Sequence, residues 1–469
     1  VKNHSDQNLF DLSDKDLGND SNKDSDCICA ISTPQGVGGI SVIRVSGGQS
    51  FLISRKICSF LPPIIESHRI YYGFAKHPET LEKLDEVLAS CFADGKSFTG
   101  EESVEISCHG NPLIAESIVQ ALIVSGARLA QPGEFTCRAF FNNKIDLVQA
   151  ESVLSLIESQ SKQASRMALR QLEGELSSEY QKIEDAFLWI LAQIEAGIDF
   201  STEGLNVVSY DQISLRLAQA QEKVQNLMSS YEAGRIVKDG LLVSLLGHPN
   251  VGKSSLLNAL SKEDLAIVTD EPGTTRDLVT AKLRLGGVTV HLVDTAGLRE
   301  ASNKVEQLGI RKSLEMMQKS DVILYVVEAG EEFPAEFSAA ASIAGQERAV
   351  CFNKVDLHTA LMPDVGLKAF SVSAKTGAGL EQVKQWLAEL ASSKSSESQI
   401  LVSQARHFEL LSKIQLSLNS AAKLIKEDLS SEFVAQEMQI GIRAIHELLG
   451  KSFDEQVIDR IFKEFCLGK

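Results

Sequence analysis

The sequence carries no CxxC pair and no Cys/His cluster at zinc-ligand spacing. Its eight cysteines stand scattered at Cys27, Cys29, Cys58, Cys91, Cys108, Cys137, Cys351 and Cys466. Reduced thiols in a cytoplasmic protein are the expectation. No run of 18 or more apolar residues occurs, and no secretory leader is read, so no membrane partner is expected. Basic residues are in deficit: 46 Lys and Arg stand against 63 Asp and Glu, a formal net charge of -17. That weighs against a broad nucleic-acid-binding face, which needs clustered cations, and leaves room for a local basic patch or a basic partner. One last absence is local. In "DTAGLRE", Asp294 to Glu300, the position after the glycine holds Leu298. Many nucleotide hydrolases place there a glutamine that orients the attacking water. A leucine cannot hold a water, so either nucleotide is bound without cleavage or the chemistry comes from elsewhere.

What is present is a chain of 469 residues, 43% hydrophobic and 23% charged, the balance of a globular protein of two to four domains. Residues 1–26 are rich in Asp, Ser and Asn and poor in apolar residues, and read as a disordered acidic tail. From 27 to 145 "GGISVIRVSG" and "SVEISCHG" read as strands, and "PLIAESIVQALIVSGA" as a helix ended by Gly126, which makes an α+β domain. From 146 to 238 the period turns helical, with Ile183, Phe187, Ile190, Leu191 and Ile194 on one face and a break between Asp199 and Tyr210. From 239 to 391 continuous apolar runs ("LLVSLLG", "VTVHLVD", "VILYVVE", "RAVCFNKVD", "FSVSAK") predict strands buried on both faces of a parallel sheet. After "ASSKSSESQ" helical spacing returns over 392–469, with Leu411, Ile414, Leu418, Ala421 and Ile425, then Phe453, Val457, Ile458, Ile461, Phe462 and Phe465. The flanking helical runs are expected to pack on each other, with the α/β domain inserted between them.

"GHPNVGKS", Gly247 to Ser254, matches the phosphate-loop pattern and follows the strand "LLVSLL". Its glycines let backbone N–H groups approach phosphates, and the next helix points its positive end at them. Lys253 is suited to the β- and γ-phosphates and Ser254 to Mg²⁺. "FNKVD" adds base identity: Asp356 can accept from guanine N1 and N2, Asn353 braces the loop, and the Lys354 stem covers the base. Ser373, Ala374 and Lys375 end the next strand, where backbone can contact guanine O6. This order favours GTP over ATP. In "EPGTTRD", Thr275 is placed to bind Mg²⁺ when the γ-phosphate is present. Asp294 is the magnesium-side acid and the Gly297 N–H a γ-phosphate sensor. Arg276 and Asp277 read as a surface salt pair or as catalytic. The candidate nucleotide contacts are Asn250, Val251, Gly252, Lys253, Ser254 and Ser255; Thr269, Asp270, Glu271, Pro272, Gly273, Thr274 and Thr275; Asp294, Thr295, Ala296 and Gly297; and the base-binding residues above.

The order of motifs resembles the tRNA modification GTPases of the MnmE (TrmE) family, from Cys27 to Lys469. "TPQGVGGISVIRVSG", "FTGEESVEISCHG", "QPGEFTCRAFFNNKIDLVQAE", "DTAGLREASNKVE" and the terminal "CLGK" carry it, and other GTPases hold nothing like the first and third. The resemblance implies a fold of an N-terminal α+β folate-binding and dimerisation domain, a helical domain and an inserted Ras-like P-loop GTPase domain. It answers the Leu298 question twice. Glu306, on its own an ordinary acidic residue of a polar run, would orient the attacking water through a bridging water. K⁺ held by Asn250, Thr274 and the backbone oxygens of Thr269 and Glu271 would do the work of an arginine finger, worth ~10³ to 10⁵ in rate.

The same resemblance implies that Arg44, Glu105 and Lys144, with Lys469, contact a 5,10-methylene- or 5-formyl-tetrahydrofolate. Cys466, by itself a terminal thiol, would be catalytic; Leu467 stands where the family usually has Ile. The implied reaction adds an aminomethyl or carboxymethylaminomethyl group to carbon 5 of the wobble uridine, position 34, of certain tRNAs. It is shared by a homodimer of this chain and an FAD-containing partner in a heterotetramer or larger complex. A ribosome-assembly GTPase switch without covalent chemistry is the alternative reading, and a folate-dependent transferase with a purely regulatory GTPase is a third.

Overall fold

The computed structural model of the chain describes residues 26–199, 210–261, 279–294, 318–334, 346–358, 365–393, 400–465 and 468. They belong to two compact units, Val1–Leu154 with Ile445–Lys469, and Ser155–Ala444.

In the first unit, β1 (Ile28–Ile31), β2 (Ile40–Ser46), β3 (Arg69–Lys76), β4 (Lys83–Phe92), β5 (Ser103–His109) and β6 (Arg128–Leu129) form a sheet in the order β3-β4-β5-β2-β1-β6. Neighbours are antiparallel except β1 and β6. The strands alternate as a half-buried sheet requires. Ile43 and Val45 of β2, Val87, Ala89 and Cys91 of β4, and Val104, Ile106 and Cys108 of β5 face inward. They meet Ile53 and Ile57 of α1 (Ser50–Ile57) and Ile118 and Leu122 of α2 (Pro112–Val124). Helix α2 begins where the sequence predicts. The Asn111 side chain accepts from the Leu113 N–H, Pro112 occupies the first turn, and Gly126 follows the end with φ 115°. Helices α3 (Glu134–Phe141) and α4 (Leu147–Glu158) follow, α4 lying in this unit up to Leu154.

The second unit holds α5 (Lys162–Leu172), α6 (Glu175–Asp199), α7 (Tyr210–Ser229) and α8 (Tyr231–Asp239). Then come β7 (Leu241–Leu246), α9 (Lys253–Ser261), β8 (Val279–Leu285), β9 (Val288–Asp294), β10 (Val322–Glu328), β11 (Glu347–Asn353) and β12 (Lys368–Ser371). Helices α10 (Leu380–Ser393), α11 (Ala405–Lys426) and α12 (Ser431–Leu449) follow. The sheet runs β12-β11-β10-β7-β9-β8 and is parallel except for β8. From β7 the chain goes first to β9 on one side and then to β10 on the other. That reversal opens a crevice at the carboxyl ends of the strands.

Helix α11 lies along α7, although some 180 residues separate them, with Leu411, Ile414, Leu418 and Ala421 buried. On α6, Ile183, Phe187, Ile190 and Ile194 are buried and Leu191 is half-buried. A Cβ at Gly441 of α12 would stand 2.1 Å from the Phe187 ring, so glycine is what lets this helix approach. The strand-sheet segment leaves and returns at one place. The Val402 N–H donates to Ser230 Oγ at 3.0 Å, and Gln171 Nε2 donates to the Leu401 carbonyl at 2.9 Å.

The last helix, α13 (Glu455–Lys463), belongs to the first unit. Ile458, Phe462 and Phe465 pack with Cys137, Phe140, Leu147 and Ala150. Within the helical run 392–469, the apolar face of this last helix thus finds its partners on α3 and α4.

A charge network fastens α3 to the edge of the sheet. The Glu134 carboxylate, 6% exposed, accepts from both terminal nitrogens of Arg128 (2.9 and 2.5 Å), from Arg138 Nη2 (3.0 Å) and from the Gln131 N–H (2.8 Å). Burial pushes the Glu134 carboxyl up. The Arg128 and Gln131 hydrogen bonds and the Arg138 charge more than offset this, and hold it below 4.5. Removing one partner of such a buried pair leaves uncompensated charge. Glu134→Gln is therefore expected to destabilise the first unit by about 3 kcal/mol at pH 7. A carboxyl lowered on folding stabilises above its unfolded value and loses that contribution as pH falls through the folded value. The gap between wild type and variant in urea titrations should be full above about pH 4.5 and close below it. A gap independent of pH would contradict the assignment.

Candidate functional site

Four parallel strands deliver the predicted nucleotide residues to one end of the second sheet. Strand β7 ends in the loop Gly247–Gly252, β9 in Asp294, β11 in Asn353, and β12 leads to Ser373. Two glycines are dictated by close approach. A Cβ at Gly247 would stand 2.2 Å from the Val326 carbonyl, and one at Gly252, where φ is 93°, would stand 2.4 Å from Asn353 Nδ2. Asn250 and Lys354 take left-handed φ values of 65° and 67°, an unusual backbone for residues with side chains and one that clusters at ligand loops. Helix α9 starts at Lys253, whose buried ammonium donates to the Gly247 and His248 carbonyls at 2.9 and 2.8 Å. Ser254 Oγ donates to Asp294 Oδ2 at 2.5 Å, and Asp294 is 1% exposed. A hydroxyl and a carboxylate converge at a helix N-terminus, a donor set suited to Mg²⁺ beside a phosphate.

The base-binding side is built around Asn353. Its Nδ2 donates to the Val251 carbonyl at 2.9 Å and its Oδ1 accepts from the Ala374 N–H at 3.1 Å. Ser373 Oγ donates to Asp356 Oδ1 at 2.6 Å, and this bond holds the Asp356 carboxyl below its ordinary value. Asp356 therefore stays an acceptor. Lys354 Nζ bonds Glu328 Oε2 at 2.6 Å, which fixes the lysine stem. A cavity of about 620 Å³ opens here, lined by Gly252, Ser255, Asn258, Lys354, Asp356, Ala374 and Lys375. Sequence reading passed over Asn258 and Glu328. Only their places, one turn into the helix after the phosphate loop and at the end of β10, signal them.

In the first unit a second cluster forms. Arg44 and Glu105 face each other on β2 and β5 and pair at 2.9 Å between Arg44 Nη2 and Glu105 Oε1. Arg44 is a mid-strand residue of β2. Its guanidinium lies 5.4 and 5.6 Å from the ring centres of Phe98 and Phe135. Lys144 Nζ donates to the Gly95 carbonyl at 3.0 Å, in the loop that carries Phe98. At the chain's end Gly468 lies against β1: a Cβ there would stand 2.2 Å from the Ile31 carbonyl. A cation, a carboxylate and a ring 39% exposed suit an elongated ligand with an aromatic ring, N–H donors and a carboxylate. The described cysteines do not serve here. All are buried, with Cys27, Cys91 and Cys108 pushed by burial up to about 11.

Thr269, Asp270, Glu271, Pro272, Gly273, Thr274, Thr275, Thr295, Ala296, Gly297, Leu298, Glu306, Cys466 and Lys469 lie outside the described residues.

The chain matches the family model "MnmE helical domain" over residues 147–466 and "GTP-binding protein TrmE N-terminus" over residues 27–144. It is 46% identical to the tRNA modification GTPase MnmE of Bdellovibrio bacteriovorus over 95% of this chain and 98% of that one. For the same protein of Natranaerobius thermophilus the values are 37%, 95% and 99%. Among solved structures it is similar to the G domain of the T. maritima FeoB iron transporter (25% identity, TM-score 0.26, 32% of this chain and 99% of that one). It is also similar to an Aquifex aeolicus Era variant bound to GDP and AlF4⁻ (21%, TM-score 0.26, 38% and 66%). Matched by both family models and by relatives along 95% of its length, the chain belongs to the MnmE family of tRNA modification GTPases.

Proposed function

We propose that this chain is a potassium-dependent GTPase that acts with an FAD-containing partner. Its product would be an aminomethyl or carboxymethylaminomethyl group on carbon 5 of the wobble uridine of certain tRNAs. The observation that carries the nucleotide half is the Asn353 amide, which ties the phosphate loop to the base-binding loops. Ser254 and Thr275 would hold Mg²⁺. Asn250, Thr274 and the backbone oxygens of Thr269 and Glu271 would hold K⁺, whose charge offsets that developing on the phosphates. The exposed, left-handed Asn250 supports this, since it leaves its side-chain amide open. Glu306 would orient the attacking water that Leu298 cannot. The domain division proposed is 27–145, 146–238 with 392–469, and 239–391.

The modification half is carried by the Arg44–Glu105 pair between two rings, which suits a tetrahydrofolate held with Lys144 and Lys469. When bound, the folate supplies a one-carbon unit, and Cys466 would act at the tRNA. The homodimer is supported by the outer face of the first sheet. There Ile70, Tyr72, Phe74 and Leu88 stand side by side on β3 and β4 and are 66%, 63%, 40% and 45% exposed, an apolar face a second copy would cover.

GTP hydrolysis in potassium against sodium at equal ionic strength should differ by at least tenfold, and Asn250→Ala should remove the difference. Equal slow rates in both salts would mean a binding switch. Glu306→Ala is expected to lower kcat by about 10²-fold or more with little change in KM; an unchanged kcat would exclude its role. Tyr72→Glu should shift the mass measured by light scattering from dimer to monomer, and a variant that stays dimeric would place the interface elsewhere.

A further inference from the structure

Strand β5 carries a second polar pair on the face that holds Glu105. Glu105, Ser107 and His109 alternate with the buried Val104, Ile106 and Cys108, so they project to the same side. Two residues per repeat set His109 about 13 Å along the strand from Glu105. The Asp85 carboxylate, 9% exposed, accepts from His109 twice, from its backbone N–H (Oδ2, 2.8 Å) and from ring Nδ1 (Oδ1, 2.8 Å). Burial raises the Asp85 carboxyl, but the His109 hydrogen bonds more than offset it and leave it lowered. An ionised carboxylate on Nδ1 requires Nδ1 to carry the proton. The lone pair then lies on Nε2, which has no partner among the described residues, and the ring is 67% exposed.

The surroundings keep this ring open. The glycine loop between β1 and β2 is tied beside it, with Gly38 N–H donating to the Gly110 carbonyl (2.8 Å) and Gly110 N–H to that of Gly39 (3.3 Å). A Cβ at Gly110 would stand 2.4 Å from the Gly38 carbonyl. The base of the same loop, at Ile31, is where Gly468 packs. The other charged side chains on adjoining elements are Lys83 and Glu86 on β4, Glu116 on α2, Arg44 on β2, and Arg55 and Lys56 on α1. Lys83 lies over the Phe74 ring, and Arg44 is tied to Glu105. Of the other histidines of β-strand loops in this unit, His68 bonds Ser67 and His77 accepts backbone N–H groups through Nδ1; neither has a carboxylate on its ring.

We propose that Asp85 and His109 form a proton-accepting dyad for the modification reaction, and that His109 Nε2 deprotonates the amine that becomes joined to the one-carbon unit. The assignment rests on the folate reading of the Arg44–Glu105 cluster. An amine attacks carbon only as the free base, yet ammonium and amino acids are protonated near neutral pH. The candidate groups nearby are engaged: Glu105 with Arg44, and Lys144 with Gly95. In the step assigned to His109, one N–H bond of the ammonium form breaks and its electron pair stays on nitrogen. A bond from Nε2 to that proton forms, and the positive charge moves to the imidazolium. Asp85 stabilises that charge, and the exposed ring returns the proton to solvent.

Two measurements test this. In the free protein, nitrogen-15 NMR of the imidazoles, with His109 assigned through His109→Gln, should show the Nδ1–H tautomer. Asp85→Asn should move the ring toward Nε2–H; an Nε2–H ring in wild type overturns the dyad. In the modification assay with partner, tRNA, GTP, 5,10-methylene-tetrahydrofolate and glycine or ammonium, His109→Gln should fall about 10²-fold at pH 7. Its rate should then recover about tenfold per pH unit as solution supplies the free amine. A wild-type rate, or a loss with no recovery at high pH, overturns the assignment. Tetrahydrofolate binding by fluorescence separates the two readings. If Arg44→Ala binds as wild type, the folate reading fails. If it loses binding while His109→Gln modifies normally, the dyad alone fails.

Discussion

The buried side-chain amide of Asn353 is the interaction on which the nucleotide site depends. It spends its donor on the Val251 carbonyl and its acceptor on the Ala374 N–H. Three loops that lie far apart in sequence become one rigid rim. The tie also explains the strict demand at Gly252, because any side chain there would meet the amide itself. With Asn353 spent inside the protein, Asp356, which the Ser373 hydroxyl holds as an acceptor, is left facing the cavity. The phosphate-loop and N-K-x-D segments share one brace, so loosening one loosens the other.

Around that rim the parallel sheet does the positioning. Strands buried on both faces cannot tilt without opening the core, so their carboxyl ends present loops at fixed spacing. Asp294 at the end of β9 reaches Ser254 at the start of α9, and Glu328 at the end of β10 steadies Lys354 after β11. Each link joins neighbouring strands, and together they span the crevice. The segment's return over 400–404 onto α8 and α5 then binds this sheet to the helices of the same unit.

The first unit solves a different problem. Its sheet is covered by α1 and α2 on one face and, at β1, by Phe135 of α3 on the other, and its polar residues are held by pairing. Arg44 is set by Glu105 and two rings, and Glu134 by Arg128 and Arg138. Helix α13 is recruited because Phe462 and its neighbours fit the Phe140 cluster, and this carries the chain's end toward β1. Residues from both ends of the chain are therefore brought to this sheet, with Gly468 against Ile31 of β1.

By itself the sequence determined the elements whose chemistry is contiguous. The phosphate loop, N-K-x-D and the buried strands are legible because glycine placement, a short spacing and apolar runs encode them locally. The glycine that ends α2 and the helical stripes of α6 and α11 are legible for the same reason. Only the tertiary structure decided which distant residues meet. Nothing local in the sequence pairs Arg44 with Glu105; antiparallel register sets them opposite each other. Asp85 and His109 gave no signal, since β4 was not legible in the sequence and their meeting depends on how its end lies beside β5. The helical period of the C-terminal run was plain, but its partner was not: amphipathic spacing says that a face must be buried, and only packing selects the surface that buries it.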